Sequence, residues 1–436
     1  MTHSPGGGYR PDAGYQQGGG YPQGGGYPQA DGYGRQGGYG GQPGGYGRAP
    51  QQSYDGYAQG GGPGGWPPHG HDDYDPDGKY QSQGRRRASR AKIWVIVAAS
   101  IAILGLITGG VLKYMEIGPF SKKGDPVSFG QDNNNGGGQA GGTDAQAADS
   151  KTLMPTGPAA QFKNANTLSD GTEIGVVTIT GKKSGFTGKV WVWAPKQYKD
   201  PKYAKSGFPV MIALPGGPGY PNNYWMGTDL NLQSSISKWS QEGKSLPFIL
   251  AMPILNPDDK HYYDGSDIPN QPKMGTWLSE DVPDLIKQNF RTLKSRDGWC
   301  FMGSSSGGFA GFKAVLKHPD KFKAVIASGP DIVPDSPLWN GHEKEKQENN
   351  PQKLAQHLID TKGPDVYIAF QVGTAEPPIV MSQVKQFQAQ YGKGPVHTML
   401  REIPGGKHNA KTYVPNMGEG LIQYISQHME GPTPSS

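Results

Sequence analysis

The residues best placed to do chemistry in this chain form the run Gly303-Ser304-Ser305-Ser306-Gly307, with Gly308 after it. A serine hydroxyl attacks an acyl carbonyl only when a base takes its proton. To be attacked with, the hydroxyl must project from a sharp turn, and small residues on both sides let the chain fold back there. The apolar run Trp299 to Met302 predicts a strand before the turn, and Phe309 to Lys317 predicts a helix after it. Strand, Gly-x-Ser-x-Gly and helix in that order make a nucleophile elbow, so Ser305 is the candidate nucleophile. A tight Gly/Ser turn is the plainer reading of the same five residues. Ser304 and Ser306 flank the centre and are expected to point elsewhere.

An elbow serine needs an acid and a histidine, which follow it along the chain in that order. His318 ends the predicted elbow helix, and His342 and His357 fall in a polar insertion. His397 lies in the strand-like run Val396 to Leu400, and His428 lies in the final predicted helix. His408 follows the last strand in the Gly-rich loop Pro404 to Asn409, which can carry an imidazole over the strand ends. It is the candidate general base. Glu376, in the loop directly after Val366 to Val372, is the candidate acid that orients the imidazole. Asp331, after the run Ala324 to Ala327, is the alternative acid, whereas Asp365 precedes its strand and falls at the wrong edge.

Developing negative charge on the carbonyl oxygen calls for two backbone N–H donors. Ser306, the residue after the nucleophile, supplies one. The second is expected from the loop Pro215-Gly216-Gly217-Pro218-Gly219. Pro215 and Pro218 have no N–H, so Gly217 is the first choice and Gly216 the second. A plain Gly/Pro turn is the alternative.

These side chains need a scaffold that brings strand ends to one edge. Val176 to Ile179 and Val190 to Trp193 read as an antiparallel entry joined through Gly181 to Gly188. Val210 to Leu214, Phe248 to Met252, Cys300 to Met302, Ala324 to Ala327 and Val366 to Phe370 are short apolar runs of the kind found in buried parallel strands. Helical patterns at Val282 to Phe290, Phe309 to Lys317 and Ile379 to Tyr391 lie between them. The alternation implies an α/β fold, a mostly parallel central sheet with helices on both faces. The loop Pro253 to Asn270, with Asp258, Asp259, Asp264 and Asp267, and the insertion Asp331 to Asn350 are candidates for a lid. Solvation explains their acidity more simply.

The rest of the 436-residue chain is of different material. Of the chain's 69 Gly, 28 crowd into residues 1–84, as Gly-Tyr units with almost no aliphatic side chains. Such a segment has too little to bury to offset the entropy of ordering it, so a disordered tail is expected. Its spaced tyrosines are candidates for weak self-association, with a solvated tail the plainer reading. Residues 85–92 are basic, and Ile93 to Leu112 is an uncharged 20-residue run flanked by Trp94 and Tyr114. At 1.5 Å per residue it matches a bilayer core of about 30 Å, which predicts one transmembrane helix. The preceding basic cluster places the tail in the cytoplasm and the C-terminal part outside the membrane. Residues 113–165 read as a flexible linker, 166–430 as the folded domain and 431–436 as a C-terminal tail. A net charge of +5 is small for this length and does not suggest a nucleic-acid partner, which would need a concentrated basic face. The single cysteine, Cys300, excludes an intrachain disulfide and reads as a buried small hydrophobe. No His-x-x-x-His or clustered carboxylate motif suggests a metal.

From about Lys189 to Gln427 the chain resembles the actinobacterial esterase family that includes the antigen 85 mycolyltransferases and esterase D. The residues that carry the resemblance are Val190-Trp191-Val192-Trp193-Ala194-Pro195 with Tyr198, the loop Leu214 to Gly219, Trp277-Leu278-Ser279-Glu280-Asp281-Val282-Pro283, and Asn289-Phe290-Arg291-Thr292 leading to the elbow. Glu376 and His408 fall in that family's acid and base positions. The resemblance implies an α/β-hydrolase fold and the transfer or hydrolysis of acyl esters without a cofactor. Two departures bear on the acyl pocket: Pro215 stands where many relatives carry a histidine, and the small Ser306 stands where a bulky residue is usual.

The expected protein is thus an extracytoplasmic, membrane-anchored serine esterase or acyltransferase, acting on acyl esters of cell-envelope lipids through an acyl-enzyme. Amide cleavage stays open, since relatives of this architecture include peptidases. The second reading is an inactive hydrolase-fold scaffold or binding protein of the envelope.

Overall fold

Val210 to Leu214 is buried along its whole length, and its side chains divide by parity. Val210, Ile212 and Leu214 enter one apolar cluster, while Met211 and Ala213 enter another. That two-residue period belongs to a strand covered on both faces. The computed structural model describes residues 123–129 and 150–435. Outside the described residues lie the expected tail (1–84), basic segment (85–92) and transmembrane span (93–112), with 113–122 and 130–149 of the expected linker. No helix among the described residues is long and apolar enough to cross a membrane.

The strands are β1 (Thr152–Leu153), β2 (Lys163–Thr167), β3 (Glu173–Thr180), β4 (Thr187–Trp193), β5 (Val210–Leu214), β6 (Ile249–Pro253), β7 (Thr292–Leu293), β8 (Trp299–Ser304), β9 (Ala324–Ser328), β10 (Val366–Gly373) and β11 (Val396–Ile403). Nine of them form one sheet in the order β11-β10-β9-β8-β5-β6-β4-β3-β2, and β1 pairs with β7 apart from it. Every pair from β6 across to β11 is parallel. Strands β4, β3 and β2 add on in antiparallel fashion. This is the α/β-hydrolase arrangement.

After β5 the chain first steps outward to β6 and then returns to β5's other side with β8. The strand order therefore reverses between β5 and β8. In open α/β sheets the crevice outside the C-terminal strand ends at such a reversal is where ligands bind. The loop Pro215 to Gly219 and the serine elbow both emerge there.

Two layers of helices cover the sheet. Helices Val282–Asn289, Ser306–Lys317, Pro351–Thr361 and Pro378–Tyr391 put Ile286, Phe312, Leu358 and Phe387 into the first cluster. Helix Leu232–Gln241 and the stretch from Ala410 to Gln427 put Ile236, Trp239, Val414 and Ile425 into the second. Cys300 is fully buried in the second cluster, and that burial pushes its thiol well above the ordinary value.

The domain extends beyond the expected limits of 166 and 430. Residues 123–129 run beside β2: the Val127 N–H donates to Phe162 O at 3.0 Å, and Pro126 bridges Lys163. Phe129 packs on Phe162 and Phe290 at centroid separations of 5.4 and 4.9 Å. A few apolar side chains secure this segment, while the Gly- and Asn-rich residues around them dilute the composition that suggested a linker. At the other end, Ser435 N–H donates to Lys202 O at 2.7 Å, and Thr433 O accepts from Ser206 Oγ.

Candidate active site

Ser305 follows β8 directly and immediately precedes the helix Ser306–Lys317, with φ 53 and ψ −125. A non-glycine residue there carries roughly 1–3 kcal/mol of backbone strain. Its backbone is pinned on both sides: Ser305 N–H donates to Ser328 O at 2.8 Å, and Ser305 O accepts from Phe309 N–H at 2.9 Å. The flanking glycines are demanded by close approach. A Cβ on Gly303 would lie 2.5 Å from Gly307 O, and one on Gly307 would lie 2.3 Å from Pro215 O. The strand, the helix and the loop after β5 therefore meet at a spacing that side chains would prevent.

The acid and base loops are stitched together before either side chain is placed. Thr374 N–H donates to Ile403 O and Ala375 N–H to Gly406 O, both at 2.9 Å, and Gly405 N–H donates to Thr374 Oγ1 at 2.8 Å. Glu376 is buried, its side chain wholly out of solvent. Its Oε2 lies 2.6 Å from His408 Nδ1. Its Oε1 accepts the Gly373 N–H at 2.5 Å and the Tyr413 hydroxyl at 2.8 Å. With Nδ1 donating to the carboxylate, the lone pair of His408 sits on Nε2, as a general base requires. After His408, Asn409 caps the next helix by accepting the Thr412 N–H at 2.9 Å. That helix delivers Tyr413 beneath the pair, with its hydroxyl 3.0 Å from His408 Nδ1.

Ser305 and the acid–base pair share a neighbour, the dipeptide Ser328-Gly329. Ser328 O takes the Ser305 N–H. A Cβ on Gly329 would lie 2.8 Å from both His408 Cε1 and Glu376 Oε2. No hydrogen bond joins the Ser305 hydroxyl to His408 in this structure; such catalytic contacts commonly tighten only with substrate bound.

Asp331 makes no hydrogen bond to His408. Burial, and then the charge of Asp264, push its carboxyl above the ordinary value, while His408 acts in the opposite sense. It is near the imidazole, but Glu376 is the carboxylate in contact with it. The other histidines are elsewhere. His397 pairs with Asp365 at 2.9 Å, and His428 stacks on Tyr367 at 3.8 Å. His318 closes the elbow helix, where burial lowers it to about 4.

Of the two expected oxyanion donors, Ser306 is the first residue of its helix, so its N–H has no partner within the helix. The helix dipole adds partial positive charge at that point. Gly217 has φ 65 and open space where a Cβ would be. Gly216, the second choice, gives its N–H to the Tyr224 hydroxyl at 2.7 Å.

The acidity of the loop Pro253 to Asn270 is not all solvation. Asp264 is 5% exposed and accepts the Trp339 indole N–H at 2.7 Å. Lys313, fully buried on the elbow helix, donates to Gly265 O at 2.7 Å, to Asp264 O at 2.5 Å and to Ser266 Oγ. Burial lowers the Lys313 ammonium to about 7, opposed first by Asp264. Among the described residues no group of three or more His, Cys, Asp or Glu is arranged to hold a metal ion. Sequence reasoning missed Tyr413, Tyr224, Gly329 and Lys313. Only Tyr413 had a usable signal, its position one helical turn after the base.

A family model described as "Putative esterase" matches residues 187–424. An uncharacterised protein of Corynebacterium glutamicum is 25% identical over 232 residues, 49% of this chain and 50% of that protein. The chain thus spans about half the length of the curated relative it matches. Among solved structures, a ferulic acid esterase is similar with a TM-score of 0.48 and 17% identity, covering 59% of this chain and 99% of that one. An S-formylglutathione hydrolase from Agrobacterium tumefaciens is similar with a TM-score of 0.46 and 18% identity, covering 61% and 98%.

Proposed function

The chain belongs to this esterase family, and from that premise we propose that it is a serine esterase or acyltransferase using Ser305, His408 and Glu376. The observation that carries the proposal is the buried Glu376 joined to His408 Nδ1 at 2.6 Å, at the same sheet edge as a serine held at φ 53.

In this mechanism His408 Nε2 removes the Ser305 proton as Oγ attacks the acyl carbonyl. The carbonyl oxygen becomes an oxyanion between the N–H groups of Ser306 and Gly217. Collapse expels the alkoxide, which takes the proton from His408 and leaves an ester on Ser305. Water or a sugar hydroxyl then gives its proton to His408 and attacks that ester; Ser305 Oγ leaves, takes the proton back from His408, and the acid or the transferred ester is released. Glu376 stays ionised, holding the imidazole and balancing its charge.

For substrate, we propose acyl esters of cell-envelope lipids, in the manner of the antigen 85-like enzymes. Three exposed large side chains support this: Tyr220, Tyr262 and Ile379. Tyr220 and Tyr262 sit on the loops that follow β5 and β6, and Ile379 sits in the first turn of the helix Pro378–Tyr391 that follows β10, at the edge where Ser305 emerges. We further propose that residues 93–112 anchor the chain in a membrane, with the folded domain on the extracytoplasmic side.

A fluorophosphonate probe tests the chemistry: it should label the wild-type chain and not Ser305→Ala. An unlabelled, folded wild-type protein would sink the proposal. A panel of p-nitrophenyl esters, with and without trehalose as acceptor, then separates hydrolysis from transfer. Alkaline extraction of membranes tests the anchor, which fails if deleting residues 93–112 leaves the protein's partitioning unchanged.

A further inference from the structure

We propose that Tyr224, Ser304 and Ser306 form a two-point clamp that selects Gly217 as the second oxyanion donor. The inference rests on Ser305 being the nucleophile and adds the residues that position its partner loop. Three N–H groups remain in the loop Pro215 to Gly219 once its prolines are set aside. Gly216 gives its N–H to Tyr224 Oη at 2.7 Å. The same Tyr224 oxygen is hydrogen-bonded to Ser304 Oγ. On the far side of the peptide, Ser306 Oγ donates to Gly217 O at 2.7 Å. The N–H of one residue and the carbonyl of the next are thus both held, each by way of a serine adjacent to the nucleophile. Gly217 N–H has no protein acceptor among the described residues. A Cβ on Gly216 would lie 3.2 Å from Ser305 Cβ, so the loop passes the attacking residue closely at the position next to Gly217.

Tyr224 is itself rigidly mounted. It opens the turn Tyr224–Met226, which Asn223 caps. Asn223 is fully buried and donates to both Ala213 O and Pro253 O at 2.8 Å. Trp225 Nε1–H donates to Leu214 O at 2.9 Å. The tyrosine is therefore fixed to the ends of β5, the strand beside the nucleophile's own, and of β6, the strand next to that. Serine at 306, where the resembled family carries a bulky residue, replaces bulk with a hydrogen bond that orients the peptide.

Tyr224→Phe and Ser306→Ala each delete one hydroxyl with little change of volume. We expect each to lower kcat about 10-fold and the pair together to approach the roughly 100-fold or greater loss of a whole oxyanion donor. KM should stay within about threefold, because the loop acts on the tetrahedral species more than on the bound ester. Inhibition by a trifluoromethyl ketone, to whose carbon Ser305 Oγ adds, should weaken by the same factor as kcat. The pH midpoint of kcat/KM should match wild type, since His408 and Glu376 are untouched. A raised KM with unchanged kcat, or wild-type ketone inhibition in both variants, overturns the clamp. If Tyr224→Phe fails to fold, Ser306→Ala decides alone. Fluorophosphonate labelling keeps two failures apart: an unlabelled wild type defeats the nucleophile, while a labelled wild type with fully active variants defeats only the clamp.

Discussion

Two residues bearing side chains hold the left-handed backbone region beside the helix Ser306–Lys317: Ser305 at its start and Asp264 in the loop packed on its flank, each with φ 53. Their backbones share a positive φ, and their side chains differ in what they engage. The Asp264 carboxylate takes the Trp339 indole N–H and the Ser336 N–H, while its carbonyl takes the Lys313 ammonium. The carboxylate ties the loop to residues 336–339, and the carbonyl ties it to the helix. At Ser305 only the backbone is committed, and the hydroxyl has no protein partner among the described residues. Backbone strain alone therefore does not mark a catalytic residue. Strain combined with an unengaged side chain, at the sheet edge that also carries a carboxylate-bound imidazole, is the better signature.

The contrast predicts that damage on the Ser305 side is lost as rate and damage on the Asp264 side as stability. The largest effect should come from Glu376→Gln. The Gly373 N–H and the Tyr413 hydroxyl claim the amide oxygen, so the amide NH2 faces Nδ1 and the imidazole turns to the wrong tautomer. We expect kcat to fall about 10³- to 10⁴-fold. Steady-state hydrolysis of a p-nitrophenyl ester measures it, and a loss of only a few-fold would remove Glu376 from the mechanism.

Lys313→Met is the matching break on the other side. It withdraws an ammonium from three oxygens in a fully buried site and leaves the Asp264 carboxyl without its nearest cation. Removing one partner from such a site costs about 3 kcal/mol. Urea unfolding should show this as a lower midpoint at constant slope. A change below about 0.5 kcal/mol, typical of a surface substitution, would dissolve the contrast.

A smaller, pH-dependent effect sharpens it. The Lys313 ammonium titrates at about 7 when folded, against 10.5 ordinarily. Between those values the unfolded chain binds the extra proton, so stability rises with pH across that window. Burial raises the Asp264 carboxyl above its ordinary 3.8, so the folded chain holds that proton more tightly. Its contribution is full below pH 3.8 and is lost as pH rises through the folded value. Melting temperature followed from pH 7 to 10 should climb in wild type relative to Lys313→Met. Parallel curves would mean that the folded lysine keeps an ordinary titration.

The two regions also differ in how far they could be read from sequence. The elbow was legible because each chemical requirement falls on a local pattern, glycines two residues either side of Ser305 between a strand and a helix. Glu376 and His408 were legible through chain order, since each follows a strand end. Asp264 was not, because its partners Lys313, Ser336 and Trp339 lie 49 to 75 residues away and no local spacing announces them. Tyr224 was hidden for a related reason: its task is to hold a backbone N–H of Gly216, and backbone donors leave no trace in side-chain patterns. The start of the domain was misread because Val127, Phe129 and Phe162 are isolated anchors in a Gly- and Asn-rich stretch.

The finest test of the comparison replaces each strained residue with glycine. At Ser305, glycine removes backbone strain of roughly 1–3 kcal/mol. It also frees the unfolded chain, which costs about 0.5–1 kcal/mol. No hydrogen bond to the side chain is lost, because none exists. Ser305→Gly should therefore stabilise the fold by about 1 kcal/mol while abolishing activity, a gain visible as a higher urea midpoint. At Asp264, a residue type that tolerates positive φ, the same substitution relieves less strain, strands the Trp339 indole and leaves the buried Lys313 ammonium without its nearby carboxylate, so Asp264→Gly should destabilise. Opposite signs from one chemical change would locate stored strain at the nucleophile and spent strain at the anchor. If Ser305→Gly proved destabilising too, the serine hydroxyl would have to be engaged in the resting enzyme, and the distinction between the two sites would fail.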